Sequence, residues 1–150
     1  MTLQLERSAI ETYFIAQWAG ATPIILDGHG GDPTVNSVRL TIQSGAVLQG
    51  SIGRIANRIN HLGMVTATIY TAGGEGSAAW RGYAETISGI FFEKTLDNAG
   101  ALITASTDTF IRFSPPELSG NRHPYIAASF ADAPFHLTNV IAPFVRTSYQ

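Results

Sequence analysis

The chain has 150 residues, which is the usual size of one domain, and 45% of them are hydrophobic. A net charge of −2, with only nine Lys and Arg residues, argues against a protein whose main task is to bind DNA. The absence of cysteine excludes disulfides, thiolate catalysis and zinc or iron–sulfur sites that use cysteine ligands.

The shortage of charged side chains favours a protein that assembles with copies of itself. Asp, Glu, Lys and Arg together make up 13% of the chain, against about 25% in a typical globular protein. A free monomer usually stays soluble by means of mixed surface charges, so sparse charge suits a surface that is partly covered by other subunits. A surface rich in Ser, Thr, Asn and Gln would explain the same composition.

No targeting or membrane segment is expected. The N-terminal residues carry Glu6, Arg7 and Glu11 where a signal peptide would have its apolar core. No later run approaches the roughly 20 apolar residues of a membrane-spanning helix. We therefore expect neither export by a signal peptide nor a membrane span.

The first predicted element is an amphipathic helix over residues 3–19, which Gly20 and Pro23 end. Arg7 and Glu11 flank its apolar side at the spacing of a weak surface ion pair. The 3.6-residue period places four apolar side chains on that side: Leu3, Ile10, Phe14 and Trp18.

A second helix is predicted to begin after Ser77, a plausible N-cap, and to end at Gly100. Phe92 and Leu96 would point away from its main apolar face, so either a loop or a neighbouring subunit would cover them. The main apolar face would consist of Trp80, Tyr83, Ala84, Ile87 and Phe91.

The remaining segments are predicted to be strands. Gly45 and Gly63 are expected to divide the region before the second helix into three successive antiparallel strands. Pro143 cannot donate to a ladder, which predicts that the last strand lies at a sheet edge or contains a bulge. The predicted strands are 22–27, 38–42, 47–55, 64–71, 101–105, 110–113, 125–130 and 135–145.

The order of these elements predicts the fold class. Strands and helices do not alternate regularly, as they would in a doubly wound sheet. No domain boundary or internal repeat is visible over residues 1–150. We therefore expect a single α+β domain in which two helices pack on a mainly antiparallel sheet.

The turn Gly74–Ala79 fits the pattern G-x-G-x-x-A between a predicted strand and a predicted helix, where a dinucleotide phosphate would bind. The fingerprint also needs a second parallel strand that ends in an acidic residue. Asp97 falls at the predicted helix end, and Asp108 comes late in the sequence. A small nucleotide-binding domain is therefore the weaker alternative, and we expect no cofactor.

Other catalytic or metal sites have little support. Asp27, His29 and Asp32 are close in sequence and could hold a divalent metal, but they lie in a glycine-rich loop without a rigid pair of ligands. No serine nucleophile motif accompanies the histidines. We expect no metal and no catalytic residues.

The densest basic cluster is formed by Arg54, Asn57, Arg58 and His61. Such a patch could contact DNA that passes nearby, or it could pair with acidic groups of a neighbouring subunit. Because the chain has so few other cations, we favour the neighbouring subunit.

Taken together, several segments resemble the tail terminator, or tail-completion, proteins of long-tailed bacteriophages. The resemblance extends over nearly the whole chain and rests on apolar and turn residues. The segments that carry it are Glu6–Ile10 with Phe14 and Trp18, Thr22–Ile25, Arg58 with Gly63, the Gly74–Gly76 turn before Ala78, and Thr138–Phe144.

The resemblance implies a structural virion protein without catalytic residues. Copies of it would assemble in the host cytoplasm into a six-membered ring at the head-proximal end of the tail. The ring would cap the tube that the tail tube protein forms, stop the polymerisation of that protein and offer a surface to the head–tail connector. A tube subunit or a head–tail adaptor would have similar interfaces and stays an alternative. The expected interface residues are Arg54, Arg58, His61, Arg81, Phe92 and Pro143.

Overall fold

A computed structural model describes residues 2–53, 55–104, 109–116, 118, 120 and 122–149. Among these residues there are two helices and seven strands, and neither helix is long and apolar enough to cross a membrane. In chain order the elements are α1 (Leu3–Trp18), β1 (Ile24–Ile25), β2 (Ser37–Gln49), β3 (Arg58–Ala72), α2 (Ala78–Phe91), β4 (Thr95–Leu96), β5 (Ile111–Phe113), β6 (Tyr125–Asp132) and β7 (Phe135–Tyr149).

The strands form one sheet in the order β1-β2-β3-β7-β5-β4, and β6 also pairs with β7. Only the short β1–β2 pairing is parallel among the described strands. The prediction of a single α+β domain with a mainly antiparallel sheet is confirmed at this level.

The two helices contribute to the same hydrophobic core as one face of the sheet. Phe14 of α1 stacks on Phe91 of α2 with their ring centroids 5.7 Å apart, and Phe91 contacts Phe113 of β5 at 4.7 Å. Side chains of a strand alternate between faces, so Val65 points into this core while Met64 points away from it.

The predicted first helix is confirmed, except for one member of its apolar side. Ile10, Phe14 and Trp18 are buried, but Leu3, the first residue of the helix, is 61% exposed. The predicted Arg7–Glu11 ion pair is present, with 3.0 Å between Arg7 Nε and Glu11 Oε1.

The predicted three-strand region is wrong, because two glycines lie inside strands instead of between them. β2 runs through Gly45 with an irregularity between Ser44 and Val47, and β3 runs through Gly63 without a break. A Cβ atom at Gly63 would lie 2.6 Å from Cζ of Phe144. Gly63 therefore makes room for an aromatic ring of the neighbouring strand, which a turn-based interpretation cannot detect.

The edge position predicted for the last strand is also wrong. β7 is central: it pairs with β3 over its whole length, with β6 up to Ile141 and with β5 from Phe144 onward. The carbonyl of Pro143 accepts from the backbone N of Ser114. In an antiparallel strand the N–H and C=O groups of one residue point to the same side. The side on which Pro143 lacks an N–H therefore faces the place where the partner of β7 changes from β6 to β5.

The second helix ends earlier than predicted. Its last residue is Phe91, Phe92 is extended, and Glu93 adopts a positive φ of 50°. The chain then forms β4, in which Leu96 is fully buried instead of exposed on a helix. Gly100 therefore does not end the helix. The helix ends earlier because the chain after it pairs with β5 as β4.

Candidate functional site

The β2–β3 hairpin end, which we define as residues 43–53 and 55–62, differs from the rest of the sheet in its exposure. Every β2 residue in it, from Gln43 to Gln49, is exposed, whereas the first part of β2 is largely buried. β1 pairs with β2 only at Val38 and Arg39, so the outer edge of β2 beyond that point has no strand partner among the described residues.

Four large aliphatic side chains are exposed on the hairpin end. Ile52 is 86% exposed and Ile55 is fully exposed, and both lie in the connection between the strands. Val47 and Leu48 precede them on β2, each with about half or more of its surface exposed. The described residues 43–53 and 55–57 include no charged side chain. The described residues before β3 are therefore an apolar stretch without charge, whereas Arg58 follows at the start of β3 and Arg54 lies outside the described residues.

A groove lies at the base of this hairpin, on the sheet face away from the helices. Its volume is about 570 Å³. Met64 of β3 and Pro143 of β7 are paired across its floor, and Ile141 and Tyr125 line it beside them. The predicted interface residue Pro143 is thus a buried part of the groove floor. The rest of the lining is Gln43, Ser44, Gly45, Leu62, Gly63 and Leu118, so no Asp, Glu, Lys, Arg or His lines the groove among the described residues.

The structure does not place the predicted basic cluster on one surface. Arg54 lies outside the described residues. Arg58 and His61 lie on β3 at positions of opposite parity, and the β3–β7 register is continuous between them, so their side chains point to opposite faces. Asn57 lies in the connection before β3. The predicted single patch is therefore wrong for the described members of the cluster.

Arg58 and His61 have different surroundings. Within the described part of the chain, Arg58 Nε is buried without a hydrogen-bond partner, next to Gly50. His61 Nε2 lies 2.8 Å from Ser148 Oγ on β7. Burial and the positive charge of Arg146 lower the pKa of His61.

His61 borders a second cavity of about 390 Å³ that contains a buried ion pair. Arg146 Nε of β7 donates to Glu6 Oε2 of α1, and each side chain is only 5% exposed. Burial raises the pKa of Glu6, although the hydrogen bond and charge of Arg146 oppose this shift. This pair was not predicted from the sequence. The available signal was that Glu6 lies four residues before Ile10, on the buried side of the helix.

The other two predicted interface residues lie on and after α2. The Arg81 guanidinium lies 4.6 Å from the centre of the Trp80 ring, and Arg81 Nε donates to Ser77 Oγ at 3.1 Å. Arg81 also borders a shallow pocket of about 270 Å³ between α2 and Ile126 of β6. Phe92 is 47% exposed and its ring stacks on that of His123 at 4.8 Å. Ser77 thus holds an arginine and makes no side-chain cap hydrogen bond to the helix.

The glycine turn before α2 does not have the surroundings of a dinucleotide site. Gly74 and Gly76 both have positive φ, of 80° and 83°, which the turn from β3 into α2 requires. β3 is antiparallel to both of its neighbours, whereas the fingerprint requires a parallel βαβ unit. Asp97 accepts from the backbone N of Ala99 and Ala101, so it stabilises its own turn. Asp108 lies outside the described residues.

The glycine-rich loop that follows β1 has a structural contact as well. Asp27 Oδ1 accepts from the backbone N of Ile42 at 3.2 Å, which ties the loop to β2. His29 and Asp32 lie on exposed parts of the same loop. Among the residues with described positions, no three His, Asp or Glu side chains are grouped closely enough to hold a metal ion.

Comparisons with known proteins support the fold. No protein-family model and no curated protein matches the sequence. The chain is similar to a solved structure with a TM-score of 0.66 and 16% sequence identity, and the match covers 100% of this chain and 99% of the other. The name of that protein states no activity, ligand or partner. The match shows that the whole chain, from α1 to β7, has a fold that another protein also adopts.

Proposed function

We propose that this protein is a structural component of a bacteriophage tail that assembles with copies of itself into a ring, as a tail terminator does. The observation that carries the proposal is the hairpin end, where four large aliphatic side chains are exposed: Ile52 and Ile55 in the connection, and Val47 and Leu48 on opposite faces of β2. Single exposed apolar residues are common on monomers, but a cluster at one end of a molecule is typical of a protein interface.

The magnitude of this surface suits self-association. Burying one fully exposed aliphatic side chain contributes roughly 1.5–3 kcal/mol, so Ile52 and Ile55 contribute roughly 3–6 kcal/mol, and the half-covered Val47 and Leu48 each add less. Association costs an estimated ~4–15 kcal/mol in lost freedom of motion. The hairpin end has about 20 residues, close to the ~20–30 residues that each partner contributes to a standard interface. The hairpin end is therefore large enough to form the main part of a subunit contact.

The sequence resemblance supplies the biological setting of the proposal. A terminator ring, of six subunits in this proposal, would sit on the last ring of the tail tube, stop tube growth and contact the head–tail connector. The low proportion of charged residues agrees with extensive contacts between subunits. DNA would pass through the ring, and the few cations would allow at most a passive contact with it.

The test is the native mass of the purified protein over a concentration series, together with negative-stain images of the same samples. We expect a discrete ring of about six subunits whose population grows with concentration. Open tubes would instead identify a tube subunit, the main alternative. A monomer up to millimolar concentration would contradict assembly through the hairpin end.

A further inference from the structure

We infer that the cavity bordered by His61 and Arg146 binds a small monocarboxylate, that is, a molecule with one carboxylate group and a short apolar body. This inference goes beyond the proposed function and does not depend on it. The cavity lies where the start of α1 meets β2, β3 and β7. Its volume of about 390 Å³ falls within the ~300–1,000 Å³ that is typical of small-molecule sites.

Strand register assembles the polar side of the cavity. Arg146 of β7 is the direct partner of His61 across the β3–β7 ladder, so both side chains lie on the same face of the sheet. His61 Nε2 lies 2.8 Å from Ser148 Oγ, and Glu6 of α1 joins the group through its buried bond with Arg146. A cavity in which polar groups converge, two of them with shifted pKa values, is typical of a binding site.

The exposed side of the cavity is apolar. Val47 of β2 is the direct partner of His61, so it lies on the same face as the imidazole, and it is 60% exposed. Leu3, at the start of α1, also lines the cavity and is 61% exposed. A ligand with its polar head beside His61 would cover these two side chains with its apolar body. The lining therefore suits a molecule with one polar and one apolar end.

The charges of the lining select an anionic head with a single charge. Glu6 and Arg146 form a buried ion pair, so together they leave no net charge in the wall. Among the lining residues, His61 is the one whose ordinary pKa, about 6.5, lies closest to neutral pH. Protonation of its imidazole balances one negative charge. A dianion would keep one unbalanced charge, and a cation would find the Glu6 carboxylate already paired.

The groups that face His61 agree with this choice. Burial, the charge of Arg146 and the positive charge of the amino terminus all lower the pKa of His61. The lining residues of β2 are uncharged: Ser44, Gly45 and Val47. An anion beside the imidazole would oppose the two positive charges, and binding of a carboxylate is therefore coupled to uptake of a proton by His61.

Ser148 supplies a hydrogen-bond donor for the carboxylate. Its hydroxyl group both donates and accepts, whereas a protonated imidazole only donates. When His61 is protonated, Nε2 donates to Ser148 Oγ, and the hydroxyl proton of Ser148 is directed to another acceptor. A carboxylate oxygen is the strongest such acceptor, because hydrogen bonds to a charged group are roughly twice as strong as those between neutral groups.

The test uses butanoate as the probe and butanamide as an uncharged control of nearly the same shape. We expect butanoate to move the titration of the His61 imidazole to higher pH, followed by NMR of the histidine ring signals, and butanamide to leave it unchanged. Because the coupling is reciprocal, the affinity for butanoate should increase as pH falls from about 8 to about 6. The variant His61→Gln identifies the signal of His61.

The chain contains a matched control for the Ser–His pair. Ser129 Oγ lies 2.7 Å from His136 Nε2 at an exposed place outside the lining of this cavity. An unspecific effect of salt would therefore act on His136 as well. We expect Ser148→Ala to weaken butanoate binding about tenfold or more and Ser129→Ala to leave it unchanged. Thermal unfolding of both variants shows that they are folded.

The outcomes separate this inference from the proposed function. Ile55→Asp, at a fully exposed position outside the cavity lining, is measured beside the wild type so that a subunit contact over the cavity does not hide the site. Equal shifts of His61 and His136, equal effects of butanoate and butanamide, or no saturable effect of butanoate in either protein would overturn the inference. The proposed function is decided separately, by the native mass.

Discussion

Glu6 and Arg146 are 140 residues apart in the chain, yet they form an ion pair buried between α1 and β7. The pair fixes the first turns of the helix to the end of the central strand. Because Arg146 also pairs in register with His61 of β3, the three side chains form one polar group at the end of an otherwise apolar core.

We predict that Arg146→Met destabilises the fold by about 3–5 kcal/mol, because it leaves the Glu6 carboxylate buried without its cation. The double variant Glu6→Leu with Arg146→Met should be markedly more stable than this single variant, since no charge remains buried. Urea unfolding of the three proteins measures both effects. Equal stability of the single and double variants would contradict the prediction.

A second prediction concerns the pH dependence of stability. The pKa of His61 is lowered in the folded protein, so the folded state binds fewer protons than the unfolded state. The contribution of His61 is therefore fully present above its unfolded pKa of about 6.5 and is lost as pH falls through the lowered folded pKa.

We expect His61→Gln to lose less stability than the wild type between neutral pH and about pH 5. Glu6 acts in the opposite direction, because its raised pKa makes its contribution fade as pH rises. Glu6 and Arg146 are unchanged in both proteins, so this opposing trend is common to both and cancels in the difference between them. Parallel stability–pH curves for wild type and His61→Gln would refute the assignment.

Gly63→Ala should destabilise the protein by about 1–3 kcal/mol, the usual range for overpacking a filled core. The added Cβ would meet Cζ of Phe144 at 2.6 Å and the carbonyl oxygen of Gln43 at 2.8 Å. The matched control is Gly82→Ala in α2, where no atom lies within 4 Å of the added Cβ. Since alanine favours a helix interior over glycine by about 0.5–1 kcal/mol, chemical denaturation should show opposite signs for the two variants.

Arg58→Glu is predicted to weaken self-association more than folding. Arg58 begins β3 at the hairpin end, so a reversed charge there would be placed within the proposed contact. The parallel variant Arg81→Glu tests whether the exposed face of α2 contributes too. Normal thermal stability together with an unchanged native mass would show that Arg58 lies outside the contact.

The sequence by itself determined the elements whose signal is local. The 3.6-residue spacing of Ile10, Phe14 and Trp18 placed α1 and its buried side correctly, because a helix closes its hydrogen bonds within its own segment. The same reasoning found most of the buried side of α2. The irregular order of strands and helices predicted the fold class.

Only the tertiary structure decided the features that depend on distant partners. Gly63 lies inside a strand because the ring of Phe144 occupies the space of a side chain, and β7 is central although it contains Pro143. Arg58 and His61 lie on opposite faces of β3, because both belong to this strand and side chains alternate along it. The strand predicted from the sequence began only at residue 64. Strand pairing, the Glu6–Arg146 pair and the groove all join residues far apart in the chain, and local spacing carries no information about which distant segments meet.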